Sequence, residues 1–283
     1  MTRRAFVVGA GGAVGEAAAH KLLAGGWAVT ASMHQERDDV RARLEAAGAE
    51  VMRHHLPDHA EWARAAQGCD ALLLTANLAI ARATLEAAEL EVGRIVVFSS
   101  NNVAADPEAP SYRALADAEH ALRARFAQLA IVRPTLIYGD PRLATVTRLV
   151  RMARRWPAMA LPGSGRARVQ PVFHDDLGCL AAGLAEADAP TGVFAAGGPE
   201  IVTMRALYAA IAKAAGVSRL VAPMPAALLA AAGVLSAEQA ARADADRVAI
   251  AQDALPTALA PRTTLREGLA HLVSAMDGSP GGG

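Results

Sequence analysis

Lysine is almost missing from this chain. Lys21 and Lys213 are the only two, and arginine supplies the rest of the basic charge. Cysteine is as scarce. Cys69 and Cys179 lie far apart, without Cys-x-x-Cys spacing or a neighbouring histidine cluster. That excludes a disulfide framework and a cysteine metal site, and both are expected to be buried free thiols in a reducing compartment. There is no charge excess of either sign, with 28 basic against 28 acidic residues and no long basic run. Nucleic acid and anionic membrane surfaces are therefore poor candidates for the main partner. The longest apolar stretch, residues 220–235, is too short and too broken by proline to span a bilayer. With no leader read ahead of the first strand, the expected location is cytoplasmic. Aromatic residues make up only 4% of a chain that is 53% hydrophobic, so the core must be built from Ala, Leu and Val. His54 and His55 are adjacent, and on a strand they would point to opposite faces, so no metal is expected there.

What is present is concentrated at the start. Residues 5–8 form a short apolar run suited to a strand buried on both faces. Gly9, Gly12 and Gly15 follow, with Gly11 allowing a second spacing, and residues 16–23 then read as a helix. Strand, glycine turn and helix bring backbone N–H groups and a positive helix end against a pyrophosphate. The expected cofactor contacts are Gly9, Gly11, Gly12, Ala13, Val14 and Gly15. Gly9 turns the chain, Gly12 keeps a Cβ away from the phosphates, and Gly15 lets the helix lie close to the strand.

The second strand, residues 27–33, chooses between nucleotides. An acid at its tip would bind the ribose hydroxyls of NAD, and a cation would favour the 2′-phosphate of NADP. Here Met33 and His34 stand at the tip and Arg37 follows, so NADP is expected, with NAD possible. Further strands are read at 50–54, 71–76, 94–99 and 128–133, with helices at 38–47, 59–66, 79–91 and from Tyr112 to about 126. Ala76 and Asn77 end the fourth strand on the cofactor's adenosine side. Ser99, Ser100 and Asn101 lie at the carboxyl end of the fifth, where ligands bind in an open parallel sheet. Repeated βα units over 283 residues predict an α/β, Rossmann-type doubly wound parallel sheet with helices on both faces.

The pattern changes after Gly139. Residues 1–139 are read as the nucleotide domain, with a strand at 192–196 returning to its sheet, and 140–283 mainly as a smaller substrate-capping subdomain. An arginine-rich amphipathic segment runs over 140–155 and includes Arg148. Residues 157–165 read as loop, 169–172 as a short strand, and 177–186 as a helix capped by Asp175 or Asp176. Helices are also expected at 204–215, 226–234, 237–250 and 264–276.

These residues resemble the extended and atypical short-chain dehydrogenase/reductase superfamily, which includes the NAD-dependent epimerase/dehydratases. The likeness rests on the glycine segment 9–15, on Phe98-Ser99-Ser100, on Tyr112, on Arg133-Pro134-Thr135-Leu136-Ile137-Tyr138-Gly139, and on Gln170-Pro171-Val172-Phe173-His174-Asp175-Asp176-Leu177. The short interval from Ser100 to Tyr112 is most like the members related to the 39-kDa subunit of complex I. Pro134, Thr135, Leu136 and Ile137 are read as cofactor contacts, the backbone of residues 136–138 after the sixth strand as touching the nicotinamide, and Tyr112 as serving both cofactor and catalysis. Ser100 or Asn101 would take the hydroxyl position of the family's catalytic set. Tyr138, Arg148 and His174 are the substrate-side candidates.

The family's set also needs a lysine four residues after its tyrosine, because an ammonium there favours the phenolate. Here that position is Ala116. Three readings follow. Tyr112 is a proton donor, which a neutral phenol can be without such help; another group has taken over; or the protein binds dinucleotide without turnover. The expected function is an NAD(P)-dependent oxidoreductase acting on a small carbonyl, alcohol or activated alkene, as monomer or homodimer. A nucleotide-sugar epimerase/dehydratase and a non-catalytic NAD(P)-binding sensor or assembly protein stay open as alternatives.

Overall fold

The computed structural model describes residues 2–35, 37–53, 59–76, 78, 82, 85–86 and 89–278. The chain divides into two units. The first comprises Met1–Pro134, His174–Ala196 and Ile250–Pro261, and the second comprises Thr135–Phe173, Gly197–Ala249 and Arg262–Gly283. The division falls after Pro134 rather than after Gly139.

The first unit is a seven-stranded sheet. Its strands are β1 (Arg4–Val8), β2 (Ala28–Met33), β3 (Glu50–Arg53), β4 (Ala71–Leu74), β5 (Arg94–Phe98), β6 (Leu129–Pro134) and β11 (Gly192–Ala196). Their order is β3-β2-β1-β4-β5-β6-β11, and every pairing is parallel. Parallel strands need crossover connections, and these cover both faces. That burial explains the unbroken apolar runs: β4 reads Ala-Leu-Leu-Leu and each residue is fully buried. Helices α3 (His59–Ala66) and α5 (Pro110–Arg125) supply Trp62, Ala118 and Leu122 to a core with Phe6, Leu72, Leu74, Ile95, Val97 and Ile131.

Across the sheet, α1 (Ala13–Ala24) packs on α7 (His174–Leu184) through small residues. A Cβ on Gly178 would lie 2.6 Å from the Ala17 methyl. Two departures from the sequence reading fall on α7. The helix begins at His174, so Asp175 and Asp176 lie inside its first turn and neither is the cap. Asp175 instead pairs with Lys21 at 2.9 Å. Cys179, expected to be buried, is exposed, whereas Cys69 is buried.

Two arginines anchor this unit from within. Arg94 is 3% exposed and donates to the carbonyls of Leu184, Ala189 and Pro190, closing the end of α7. Arg133 on β6 forms a two-pronged ion pair with Glu119 on α5, Nε to Oε1 at 3.0 Å, with Glu119 only 3% exposed. Removing one partner of such a pair strands the other charge. Glu119→Ala is expected to destabilise the protein by about 3–5 kcal/mol, read from the midpoint of urea unfolding, and Glu119→Gln by less.

The second unit holds three two-stranded pieces. β7 (Ile137–Tyr138) pairs with β10 (Val172–Phe173), β9 (Arg168–Val169) with β12 (Val202–Thr203), and β8 (Ala158–Pro162) with β13 (Leu220–Met224). Helices α6 (Ala144–Arg155), α8 (Met204–Ala214) and α11 (Leu265–Gly278) enclose a core that includes Val150, Leu161, Phe173, Leu207, Ile211 and Leu269. Residues 157–165, read as loop, contain β8, whose parallel partner lies far along the chain. The expected strand at 169–172 is interrupted between β9 and β10. The helix expected over 237–250 ends as α10 at Ala237–Ala241. Beyond it Asp244 accepts from Ser164 N at 2.8 Å and Asp246 from Arg168 N at 2.7 Å, drawing this alanine-rich stretch out of helix. The preceding helix, α9 (Ala226–Ala231), also stops early, ahead of Gly233 at φ +72°. Between β5 and α5 the chain makes one turn, α4 (Asn102–Ala105).

Among the described residues no helix is long and apolar enough to cross a membrane.

Candidate functional site

Strand order reverses at β1, whose successor in space is β4 rather than β2's continuation, and a crevice opens at such a point beyond the carboxyl ends of the strands. The glycine turn sits there. Gly9 has φ +87°, and Gly9 N and Ala10 N both donate to Ser32 O on β2. Gly12 N donates to Gly9 O at 2.9 Å, closing the turn. Gly12 then precedes α1 with no side-chain cap. The first N–H groups of α1, from Ala13 onward, have no acceptor behind them in the helix. A Cβ on Gly12 would meet only Gly9 O, at 3.3 Å, so the space beyond it is open. Amides without a helical acceptor, a positive helix end and an open glycine face fit a diphosphate.

Thr75, just after β4, holds the turn in place. Its hydroxyl donates to Val8 O at 2.9 Å, and a Cβ on Gly9 or Gly15 would lie 2.9 or 2.6 Å from it. Sequence reasoning did not single it out; the signal was its place directly after the strand beside the switch point. Ala76 lies against Gly9 as well, its backbone N 3.0 Å from where a Gly9 Cβ would be. Asn77 and the His54-His55 pair lie outside the described residues, as does most of the helix read over 79–91.

At the tip of β2 the Met33 side chain is buried against Gly11, 3.6 Å from where its Cβ would be. His34 is exposed, and Arg37 is half-buried ahead of α2 (Asp38–Ala46). No acid stands at 33 or 34. Asp39 is engaged by Arg43 at 3.1 Å, and that side-chain hydrogen bond helps hold its carboxyl below the usual range against the opposing effect of burial.

A second cluster forms at the carboxyl end of β5, with β4 between it and the glycine turn. Ser99 is half-buried, and its Oγ is enclosed with no hydrogen-bond partner among the described residues. Ser100 Oγ accepts from Asn102 N at 3.2 Å. Tyr112, in the first turn of α5, is half-buried, and its phenol oxygen accepts from Asn102 Nδ2 at 2.8 Å. Asn101 does not take the position expected of it. It is 2% exposed, its Oδ1 accepts from Ile250 N at 2.9 Å, and it ties chain segments together rather than facing a ligand. Asn102 was missed; the signal was an amide at the end of the ligand-side strand with a tyrosine on the next helix. Ala116 is half-buried one turn after Tyr112. Arg113 is turned aside to Glu108, at 3.2 Å.

Pro134 is buried and ends the first segment of the first unit. Thr135, Leu136 and Ile137 are half-buried and open the second, where the Thr135 hydroxyl donates to Gln170 O and Leu136 O accepts from Val172 N. His174 is buried at the start of α7 in the first unit. Tyr138, expected to meet substrate, is 1% exposed and belongs to the core of the second unit. Its hydroxyl donates to Thr264 O at 3.2 Å, and its ring stands edge-on to Phe173. Arg148 is exposed on α6, whose other face buries Val146, Val150 and Ala153. Of the remaining arginines in that stretch, Arg142 pairs with Asp140 and Arg154 with Asp277. Among the described residues no cluster of three or more His, Cys, Asp or Glu could hold a metal.

An all-parallel sheet that reverses order beside a glycine turn and an uncapped helix defines a dinucleotide-binding α/β protein. The family model described as NAD(P)H-binding matches residues 9–150, just over half of the chain, and the chain belongs to that family. Its fold is that of the atypical and extended short-chain dehydrogenase/reductases. It is similar to the dTDP-glucose 4,6-dehydratase of Bacillus anthracis in complex with NAD, at 13% identity and a TM-score of 0.74, covering 99% of this chain and 98% of that one. It is similar to the UDP-glucuronic acid 4-epimerase of Bacillus cereus in complex with NAD, at 15% identity and a TM-score of 0.73, covering 97% and 96%. A UDP-glucose 4-epimerase of Thermotoga maritima shares 16% identity at a TM-score of 0.70, covering 97% and 98%. No curated protein matches the chain.

Proposed function

We propose that this protein is an NADP(H)-dependent oxidoreductase that reduces a small carbonyl compound or activated alkene. When bound, the nicotinamide nucleotide supplies or takes up a hydride. The observation that carries the reading is the Tyr112 hydroxyl, held half-buried at the ligand edge of the sheet with Ser99 and Ser100 beside the same strand end. Donating a proton to an oxygen that gains charge is general acid chemistry, and a phenol can do it in its neutral form. With Ala116 in place of a lysine, no ammonium at i+4 favours the phenolate, which supports donation over abstraction. The α1 end and Gly12 would hold the diphosphate, and His34 and Arg37 the adenosine side. The second unit is assigned the recognition of substrate, with exposed Arg148 as its cationic candidate.

The test is incubation with NADPH or NADH and a panel of aldehydes, ketones and activated alkenes, following loss of the reduced nicotinamide band. Oxidation that depends on one class of acceptor supports the reading. Tight binding with no oxidation by any acceptor would instead make this a nucleotide sensor. Inversion at a sugar carbon without net redox would make it an epimerase, the chemistry named for two of the similar structures.

For the nucleotide itself, Arg37 is proposed to pair with the 2′-phosphate, since no acid stands at Met33 or His34 to repel it. Arg37→Ala is expected to weaken NADPH binding about tenfold, the worth of one charge-assisted hydrogen bond, and to leave NADH unchanged. Calorimetric titration of both nucleotides checks this, and equal losses would contradict the pairing.

A further inference from the structure

We propose that Asn102 is the positioning residue that sets the direction of the Tyr112 proton, and that it does with a neutral amide what a lysine cannot do in this chain. The inference rests on reading Tyr112 as the proton donor. Asn102 Nδ2 lies 2.8 Å from the Tyr112 oxygen and can only donate. The phenol oxygen is therefore the acceptor in that bond, and its single hydrogen is sent away from α4.

The backbone that carries the amide, and that of Tyr112, are held from several sides. Asn102 N donates to Ser100 Oγ at 3.2 Å. The preceding residue, Asn101, is fixed by Ile250 N at 2.9 Å and by its own N–H to Pro134 O at 3.0 Å. Tyr112 N donates to Ala109 O at 3.0 Å, which sets the first turn of α5. An ammonium in this place would add a full charge and draw the phenol toward ionisation. An amide adds one hydrogen bond and no charge, so it orients the phenol while leaving the proton on it.

In the step this serves, a hydride given up from a C–H bond of the bound reduced nicotinamide would add to the carbonyl carbon as the π pair of the C=O bond moves to its oxygen. The Tyr112 O–H bond breaks and its proton passes to that oxygen. The electron pair left on Tyr112 faces the Asn102 N–H, and solvent water returns the proton. The carbonyl is reduced and the nicotinamide oxidised, with no other reagent needed.

The chain has three tyrosines, and Tyr138 and Tyr208 are both buried in the core of the second unit. Labelling tyrosine Cζ with carbon-13 therefore gives three lines, and Tyr112→Phe assigns the one of interest. In nucleotide-free protein at neutral pH, Asn102→Ala and Asn102→Asp are expected to shift the Tyr112 line in opposite senses and leave the other two in place. The carboxylate is the same shape but can only accept, so it turns the phenol into a donor toward α4. On lowering the pH through about 4, where a carboxyl takes up its proton, the Asn102→Asp line should move back toward wild type. In turnover, Asn102→Asp should lose kcat about a hundredfold at neutral pH and regain it as the pH falls, while the NADPH dissociation constant stays within threefold. A Tyr112 line unmoved by both substitutions would overturn the proposal, and so would a kcat loss equal at all pH values. If acceptor reduction is observed but the Tyr112 line ignores Asn102, the oxidoreductase reading stands and this inference falls. If the line responds as expected but no acceptor is reduced, the hydrogen bond stands and the reading of the activity falls.

Discussion

Gly12→Glu is expected to weaken the binding of both NADPH and NADH by at least about a thousandfold, some 4 kcal/mol, while leaving the folded protein nearly as stable as before. Gly12 has φ −85° and ψ 158°, an extended conformation open to any residue. Its Cβ would meet only Gly9 O, at 3.3 Å, so a side chain can leave the backbone there once Gly9 O gives by a few tenths of an ångström. It would then fill the space in front of the first-turn amides of α1 and bring a carboxylate to the spot reserved for a diphosphate. A negative charge is welcome at a helix N-terminus, which is why the fold should tolerate it. The neighbouring glycines would answer a different question. Gly15→Ala drives a methyl to within 2.6 Å of Thr75 Oγ1, and Gly9→Ala forces φ +87° on a residue with a Cβ. Both loosen α1 from β1 as well as the nucleotide, so only the Gly12 variant separates binding from folding. Calorimetry with each nucleotide, beside a thermal unfolding curve, reads the two effects independently. Undiminished heat of binding would place the diphosphate elsewhere.

The contrast among these glycines marks how far the sequence could be read. The turn from Gly9 to Gly15 was legible because its constraints are local. A sharp bend, a bared backbone and a close helix crossing each demand glycine at a set spacing, and the apolar runs on either side announce a buried parallel sheet. The same holds for β4 and for the apolar runs 95–98 of β5 and 129–132 of β6, whose hydrophobicity follows from helices on both faces. The readings that failed depended on partners far along the chain. Residues 242–249 carry alanine and charge in a helical pattern, but Asp244 and Asp246 satisfy backbone N–H groups at Ser164 and Arg168, which helix propensity cannot anticipate. The strand at β8 exists because β13 lies beside it, more than fifty residues later. Cys179, expected to be buried like Cys69, stands exposed beside Lys21 of α1, a neighbour more than 150 residues away in the chain.

In the candidate site the division is the same. Tyr112, Ser99 and Ser100 were marked by their place at a strand end and a helix start. Asn101 and Asn102 are adjacent and chemically identical, and nothing local says which of them turns inward. The structure answers through Ile250, whose N–H takes Asn101 into the interior and leaves Asn102 to the tyrosine. Arg94, Glu119 and Arg133 were equally invisible as buried charges, since each is compensated by groups on other elements.

Tyr112→Phe is expected to lower kcat by about 10²–10⁴, the range spanned by a lost general acid, and to leave the NADPH dissociation constant within threefold. The change removes one oxygen and keeps the ring, which is half-buried in the first turn of α5. It leaves Asn102 Nδ2 without its acceptor, at a stability cost of about 1 kcal/mol in this partly exposed place. Cofactor affinity should survive because the diphosphate contacts are proposed at the glycine turn, on the far side of β4 from Tyr112. The split between turnover and binding is what separates the roles open to this residue. A phenol that packs against the ribose would lose affinity and rate together when its oxygen goes. A phenol that gives a proton loses rate alone, because its contribution is made only as charge grows on the substrate oxygen. Turnover unchanged in the variant would exclude Tyr112 as the donor. The enclosed Oγ of Ser99, without a hydrogen-bond partner among the described residues, would then be the next hydroxyl at this sheet edge to test.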